Sequence, residues 1–120
     1  MSHIVTIKTQ VRDCVAARLA CTRLSLPEPR HRTVKLFTAE ESGLAIELPG
    51  WKYPVVCKLE SGELKLDNFN GRWGEQKQLD QFLQAYAVET VKLQARRQGQ
   101  TATERFLQDG SICVQIALTA

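Results

Sequence analysis

The stretch Asp67-Asn68-Phe69-Asn70-Gly71-Arg72-Trp73-Gly74 separates a run of strand patterns from the best helical pattern in the chain. Asn70-Gly71 signals a turn, because glycine takes a positive φ without a Cβ clash and asparagine tolerates it better than most residues. Gly74 lets the chain bend again before the helix. Trp73 should be at least partly buried, its indole N–H donating to the Asp67 carboxylate or to a nearby carbonyl. Arg72 is placed to pair with Asp67 or to stack on an aromatic ring. Two readings follow. In one, Phe69 and Trp73 plug the end of the core while Asp67, Asn68 and Asn70 hydrogen-bond the loop backbone. In the other, the polar groups of a rigid loop form a ligand or partner site, with Trp51 and Tyr53 as neighbours. The two are compatible.

Downstream, residues 75–98 carry Leu79, Phe82, Leu83, Tyr86, Thr90 and Leu93 at three- and four-residue spacing, with Val88, Val91 and Ala95 widening the apolar face. Glu75 at the start and Arg96 and Arg97 at the end suit the helix dipole, and Gly99 suits the position just past the last turn. Upstream, residues 33–37, 44–48, 53–59 and 64–66 read as strands. Glu41-Ser42-Gly43 and Ser61-Gly62 read as hairpin breaks, and Pro49-Gly50 as a type II turn. Pro54 cannot donate to a ladder, which places its strand end at an edge or bulge.

Residues 4–10 alternate as a first strand. Asp13 is the N-cap of a helix to about Leu24, with Cys14, Ala17, Cys21 and Leu24 as its stripe and Val15 and Leu19 beside it. Arg12, Arg18 and Arg23 should reach water. Pro27 and Pro29 end that element, and Arg30-His31-Arg32 reads as a solvated basic loop. After the long helix, residues 101–107 and 111–118 form a hairpin about Gln108-Asp109-Gly110-Ser111. Strands outnumber helices. The expectation is an α+β fold, a mostly antiparallel sheet of about five to seven strands with two helices packed on one face.

At 120 residues, 43% hydrophobic and 24% charged, the chain reads as one domain, residues 1–120, able to bury a core without staples. A formal charge of +3 permits nucleic acid without arguing for it. No apolar run nears the ~20 residues of a membrane helix, and Met1-Ser2-His3-Ile4 lacks the regions of a signal peptide. A cytoplasmic protein with no membrane association is expected. Cys14, Cys21, Cys57 and Cys113 form no C-x-x-C pair, and with only His3 and His31 to complete a site the spacing argues against zinc. All four are read as reduced, small, buried apolar residues.

No paired carboxylates, nucleophile turn or Gly-rich phosphate loop occurs. Asp67, Tyr53 and His3 could meet, but a lone histidine is not by itself a catalyst. The chain therefore reads as non-enzymatic, with no catalytic, cofactor-binding or metal-binding residues.

Three stretches together carry a resemblance. They are residues 2–10, Tyr53-Pro54-Val55-Val56 together with the run 67–74, and Phe82-Leu83-Gln84-Ala85-Tyr86-Ala87-Val88-Glu89; the turn Asp109-Gly110-Ser111-Ile112 also fits. The chain resembles the small domain-of-unknown-function family that includes a hypothetical chloroplast reading-frame protein of algal plastids and its cyanobacterial and other bacterial relatives. Leu48-Pro49-Gly50-Trp51 departs from the plastid pattern and looks like a bacterial branch, which sets a photosynthetic role aside. The resemblance implies no catalytic residues to carry over. It does imply the company of an ATPase of the AAA+ class, hence an adaptor or accessory protein.

Two functions from different classes follow. The first is protein binding through Asp67, Asn68, Asn70, Arg72 and Trp73, with Trp51 and Tyr53 beside them, residue types enriched at binding hot spots. The second is RNA binding through Arg30, His31 and Arg32 with Lys92, Arg96 and Arg97, which would need stacking aromatics nearby. Arg96 and Arg97 are equally explained as dipole partners at a helix end. A homo-oligomer is compatible with either.

Overall fold

The computed structural model describes residues 4–118, with side chains through residue 117. The elements are β1 (Ile4–Lys8), α1 (Cys14–Arg23), β2 (Arg30–Lys35), β3 (Glu40–Ile46), β4 (Val55–Lys58), β5 (Glu63–Asp67), a 3-10 turn at Phe69–Gly71, α2 (Gln76–Arg97), β6 (Gln100–Phe106) and β7 (Ile112–Leu118). The first five strands form one antiparallel sheet in the order β1-β5-β4-β3-β2, and β6 and β7 form a separate hairpin. This is the expected α+β class, with its strands divided between two sheets.

The sheet has two unlike faces. Leu44, Ile46, Val55, Cys57, Leu64 and Leu66 point to the helices and pack with Ala16, Ala17, Ala20 and Cys21 of α1 and Leu79, Phe82, Ala85 and Tyr86 of α2. Alternation sends Val34, Ala45 and Val56 to the other face, where they form a second, smaller cluster with Leu36, Ile4 and Tyr53. Asp67 lies two residues beyond Lys65 and shares that open face.

Asp13 caps α1, its Oδ1 accepting from the backbone N–H of Val15 at 2.8 Å and Ala16 at 3.2 Å. The buried stripe turns toward Ala16 and Ala20, so Val15, expected beside it, is exposed. Small residues let α1 lie close against α2. The Tyr86 hydroxyl fixes the link between β1 and α1: it accepts from the N–H of Arg12 and Asp13, each at 3.0 Å, and donates to the Gln10 carbonyl at 3.1 Å. Val91, expected on the apolar face of α2, is instead exposed.

Two expectations before the corner are corrected. Arg30-His31-Arg32 is not a loop but the start of the edge strand β2, whose residues are exposed except Val34. The break expected at Glu41-Ser42-Gly43 lies inside β3, and the chain reverses earlier, where Leu36 N–H donates to the Ala39 carbonyl at 2.8 Å. Gly43 is in the strand for its size: a Cβ there would stand 2.6 Å from the Cys57 carbonyl oxygen.

Cys21 and Cys57 are buried as expected, while Cys14 and Cys113 are half-exposed; all four are free thiols. Burial pushes the Cys21 thiol up to about 11 and the Cys57 thiol up to about 12. Since the thiolate is the reactive form, a disulfide reagent at pH 8 should modify only Cys14 and Cys113 in the folded chain and all four in denaturant. Rapid modification of Cys57 under native conditions would show that β4 is not held in the sheet centre.

Candidate functional site

The corner at residues 67–74 is built by backbone geometry. Phe69, Asn70 and Gly71 have φ of 46°, 54° and 91°, three successive left-handed positions that curl the chain back on itself. The Asn68 carbonyl closes the curl, accepting from Gly71 N–H at 3.0 Å and Trp73 N–H at 2.9 Å. The Asn68 side chain makes no capping bond. The backbone thus does the work that the side chains of Asp67, Asn68 and Asn70 were expected to do.

This curl presents an aromatic cluster. Trp73 stacks on Phe69 with centroids 4.7 Å apart, and meets Phe37 at 5.3 Å and Tyr53 edge-on at 5.7 Å. Lys52 Nζ lies 4.5 Å from the Trp73 ring centre and 5.5 Å from that of Tyr53. The Arg72 guanidinium lies 5.0 Å from the Phe69 ring, so it takes the stacking role rather than pairing with Asp67. Lys52 N–H also donates to the Trp73 carbonyl at 2.8 Å, tying the segment before β4 to the corner. Phe37 is 54% exposed, and Tyr53, Phe69 and Trp73 are half-buried.

Not every expected residue joins this cluster. Trp51 packs against the helix-side core and donates its indole N–H to the Glu75 carbonyl at 3.1 Å. Its ring lies so close to Gly74 that a Cβ there would sit 2.3 Å from it. Gly74 is therefore demanded by close approach, not by a second bend. Asn70 is exposed at the tip of the curl. His3 lies outside the described residues. Phe37 was missed because it comes from the turn between β2 and β3, and nothing local marks it.

Asp67 is 1% exposed, and neither carboxylate oxygen has a hydrogen-bond donor, so of the two acceptors expected for Trp73 the Asp67 carboxylate is not used. A buried carboxylate without a donor costs several kcal/mol of lost solvation. Such a group in a native fold asks for an explanation.

Elsewhere, chemistry is sparse. A groove of about 510 Å³ between the segment after β1 and α2 is lined by Ile7, Thr9, Val11, Leu83, Tyr86 and Thr90, among others, and contains no acid–base pair. Among the described residues, no group of three or more His, Cys, Asp or Glu is placed to hold a metal, and no helix is long and apolar enough to cross a membrane. Of the basic residues read for RNA, Lys92 Nζ is bound to Glu104 Oε2 at 2.7 Å, and Arg97 reaches Asp13 at 3.7 Å. No family model, curated protein or solved structure matches the chain.

Proposed function

We propose that the chain is a non-enzymatic, cytoplasmic protein-binding module that docks its partner on the corner at residues 67–74. One observation carries this reading. Phe37, Tyr53, Phe69 and Trp73, drawn from three parts of the chain, converge on the open face with Lys52 and Arg72 over their rings. A core would hide such rings, whereas here they stay partly exposed beside two cations, the composition of a binding hot spot. The cations favour a partner surface carrying carboxylates. An AAA+ ATPase, the company that the resemblance implies, is the first partner to try.

The test is co-purification of the tagged full chain from its native host, with and without ATP, beside Arg72→Glu and Phe37→Ser. Both side chains are exposed, so the variants should fold, and circular dichroism checks it. A defined protein partner retained by the unaltered chain should fall at least ~10-fold in both, the size of a hot-spot loss near 1.4 kcal/mol. Recovery of RNA alone, released by moderate salt, would replace this reading with the nucleic-acid one. A partner held equally by both variants would move the docking surface elsewhere.

A further inference from the structure

Among the described residues, the β6–β7 hairpin contributes none to either buried apolar cluster. Paired residues of an antiparallel ladder share a face, so Ala102, Glu104 and Phe106 lie on the same side as Ile116, Val114 and Ile112. That side faces the helices, and α2 meets β6 more extensively than β7. On β7, Ile112 and Val114 are half-buried and Ile116 is 43% exposed; on β6, Phe106 is 70% exposed. Among the described residues, no other strand borders the outer edge of β7.

We infer that β7 pairs antiparallel with β7 of a second copy, giving a four-stranded intermolecular sheet in the order β6-β7-β7-β6. Charge distinguishes this edge from the others. The edge strand β2 carries Arg30, Arg32 and Lys35, β1 ends in Lys8, and β6 carries Glu104 and Arg105. Charges on edges discourage strand addition. The sequence of β7, Ile112-Cys113-Val114-Gln115-Ile116-Ala117-Leu118, has none. Two copies of this strand meet without like-charge repulsion, which two copies of β2 would not.

Register supports the same pairing. At the hairpin end Leu107 N–H donates to the Ser111 carbonyl at 2.9 Å. Ladder bonds recur at every second residue, so the backbone groups of Ile112, Val114 and Ile116 point away from β6 and are available to a neighbour. These are also the residues of the apolar face. A two-fold pairing that sets even-numbered residues against even-numbered residues, as when Val114 faces its own copy, satisfies the backbone and joins the two apolar stripes.

The experiment is sedimentation equilibrium of the full chain from about 1 to 100 μM, the weak end of what such an interface supports. Val114→Pro removes an outward N–H while sparing the bonds to β6; Gln115→Lys adds a cation to the edge in each copy. The unaltered chain should approach twice its 13.5 kDa mass. Both variants should remain monomers of unchanged circular dichroism. A monomer at every concentration overturns the inference, including the case in which a peptide of another protein is the natural occupant of the edge. So does a dimer that survives the substitutions, because its interface then lies elsewhere. If Val114→Pro fails to fold, Gln115→Lys alone decides. The outcome is independent of the aromatic corner, whose variants leave β7 intact.

Discussion

Phe82→Ala is expected to lower the free energy of unfolding by ~3–5 kcal/mol. Phe82 is 0% exposed and sits on α2 between the sheet and α1, with its ring 6.5 Å from that of Tyr86. Truncation removes apolar area from the core and leaves a void. The residues that could fill it are poorly able to do so: Ala16, Ala17 and Ala20 have no side chain to swing in, and Tyr86 is held by three hydrogen bonds at its hydroxyl. Native domains have only ~5–15 kcal/mol in total, so the variant should be close to unfolding near room temperature. Urea titration measures it, the midpoint falling at constant slope. Val91→Ala on the same helix, at an exposed position, should stay within ~0.5 kcal/mol. A Phe82→Ala loss near that of Val91→Ala would mean that the helix does not bury this face.

Phe82 was legible in the sequence because a helix advertises its buried face by repetition, and α2 repeats it over 22 residues. Turns were legible where a glycine had to be left-handed, as at Gly50, Gly99 and Gly110, with φ of 75°, 70° and 87°. The reversal between β2 and β3 was not. It passes through Phe37-Thr38-Ala39 without glycine or proline, so Gly43, four residues on, attracted the break instead. Gly43 answers to a different demand, the approach of the Cys57 carbonyl. Likewise β2 shows no alternation, since only Val34 of its six residues is buried. The corner was found from its composition and its left-handed backbone. Its full membership was not, because Phe37 and Tyr53 reach Trp73 only once the strands are assembled.

Arg23→Met is expected to cost ~2–3 kcal/mol at pH 7, because breaking a partly buried ion pair from one side falls between the exposed and the fully buried cases. From its place near the end of α1, Arg23 was expected to reach water, and its partners are 66 and 81 residues away, where no pattern could reveal them. In the fold its Nε and Nη2 donate to Glu89 Oε1 at 3.0 and 2.9 Å, and Nη1 and Nη2 donate to Glu104 at 2.8 and 2.7 Å. Lys92 completes the set on Glu104. This clasp ties α1, α2 and the hairpin together. Methionine keeps the length of the stem but leaves the two carboxylates facing each other, with Lys92 alone to offset them.

Acid separates charge from packing. The bonds from Arg23, then Lys92, hold the Glu104 carboxyl at about 2, against an ordinary 4.5. A carboxylate lowered on folding stabilises the fold fully above its unfolded value, and that contribution disappears as pH falls from about 4.5 toward 2. The shift corresponds to ~3 kcal/mol, reduced by screening at this half-exposed position to about 2. The unaltered chain should therefore lose stability across that window. Arg23→Met, having already lost the principal cause of the shift, should lose much less. The difference between the two chains, measured by urea titration at pH 7 and pH 3, should shrink by about half. An equal difference at both pH values would assign the cost of Arg23→Met to packing, and the clasp would hold the hairpin by contact rather than by charge.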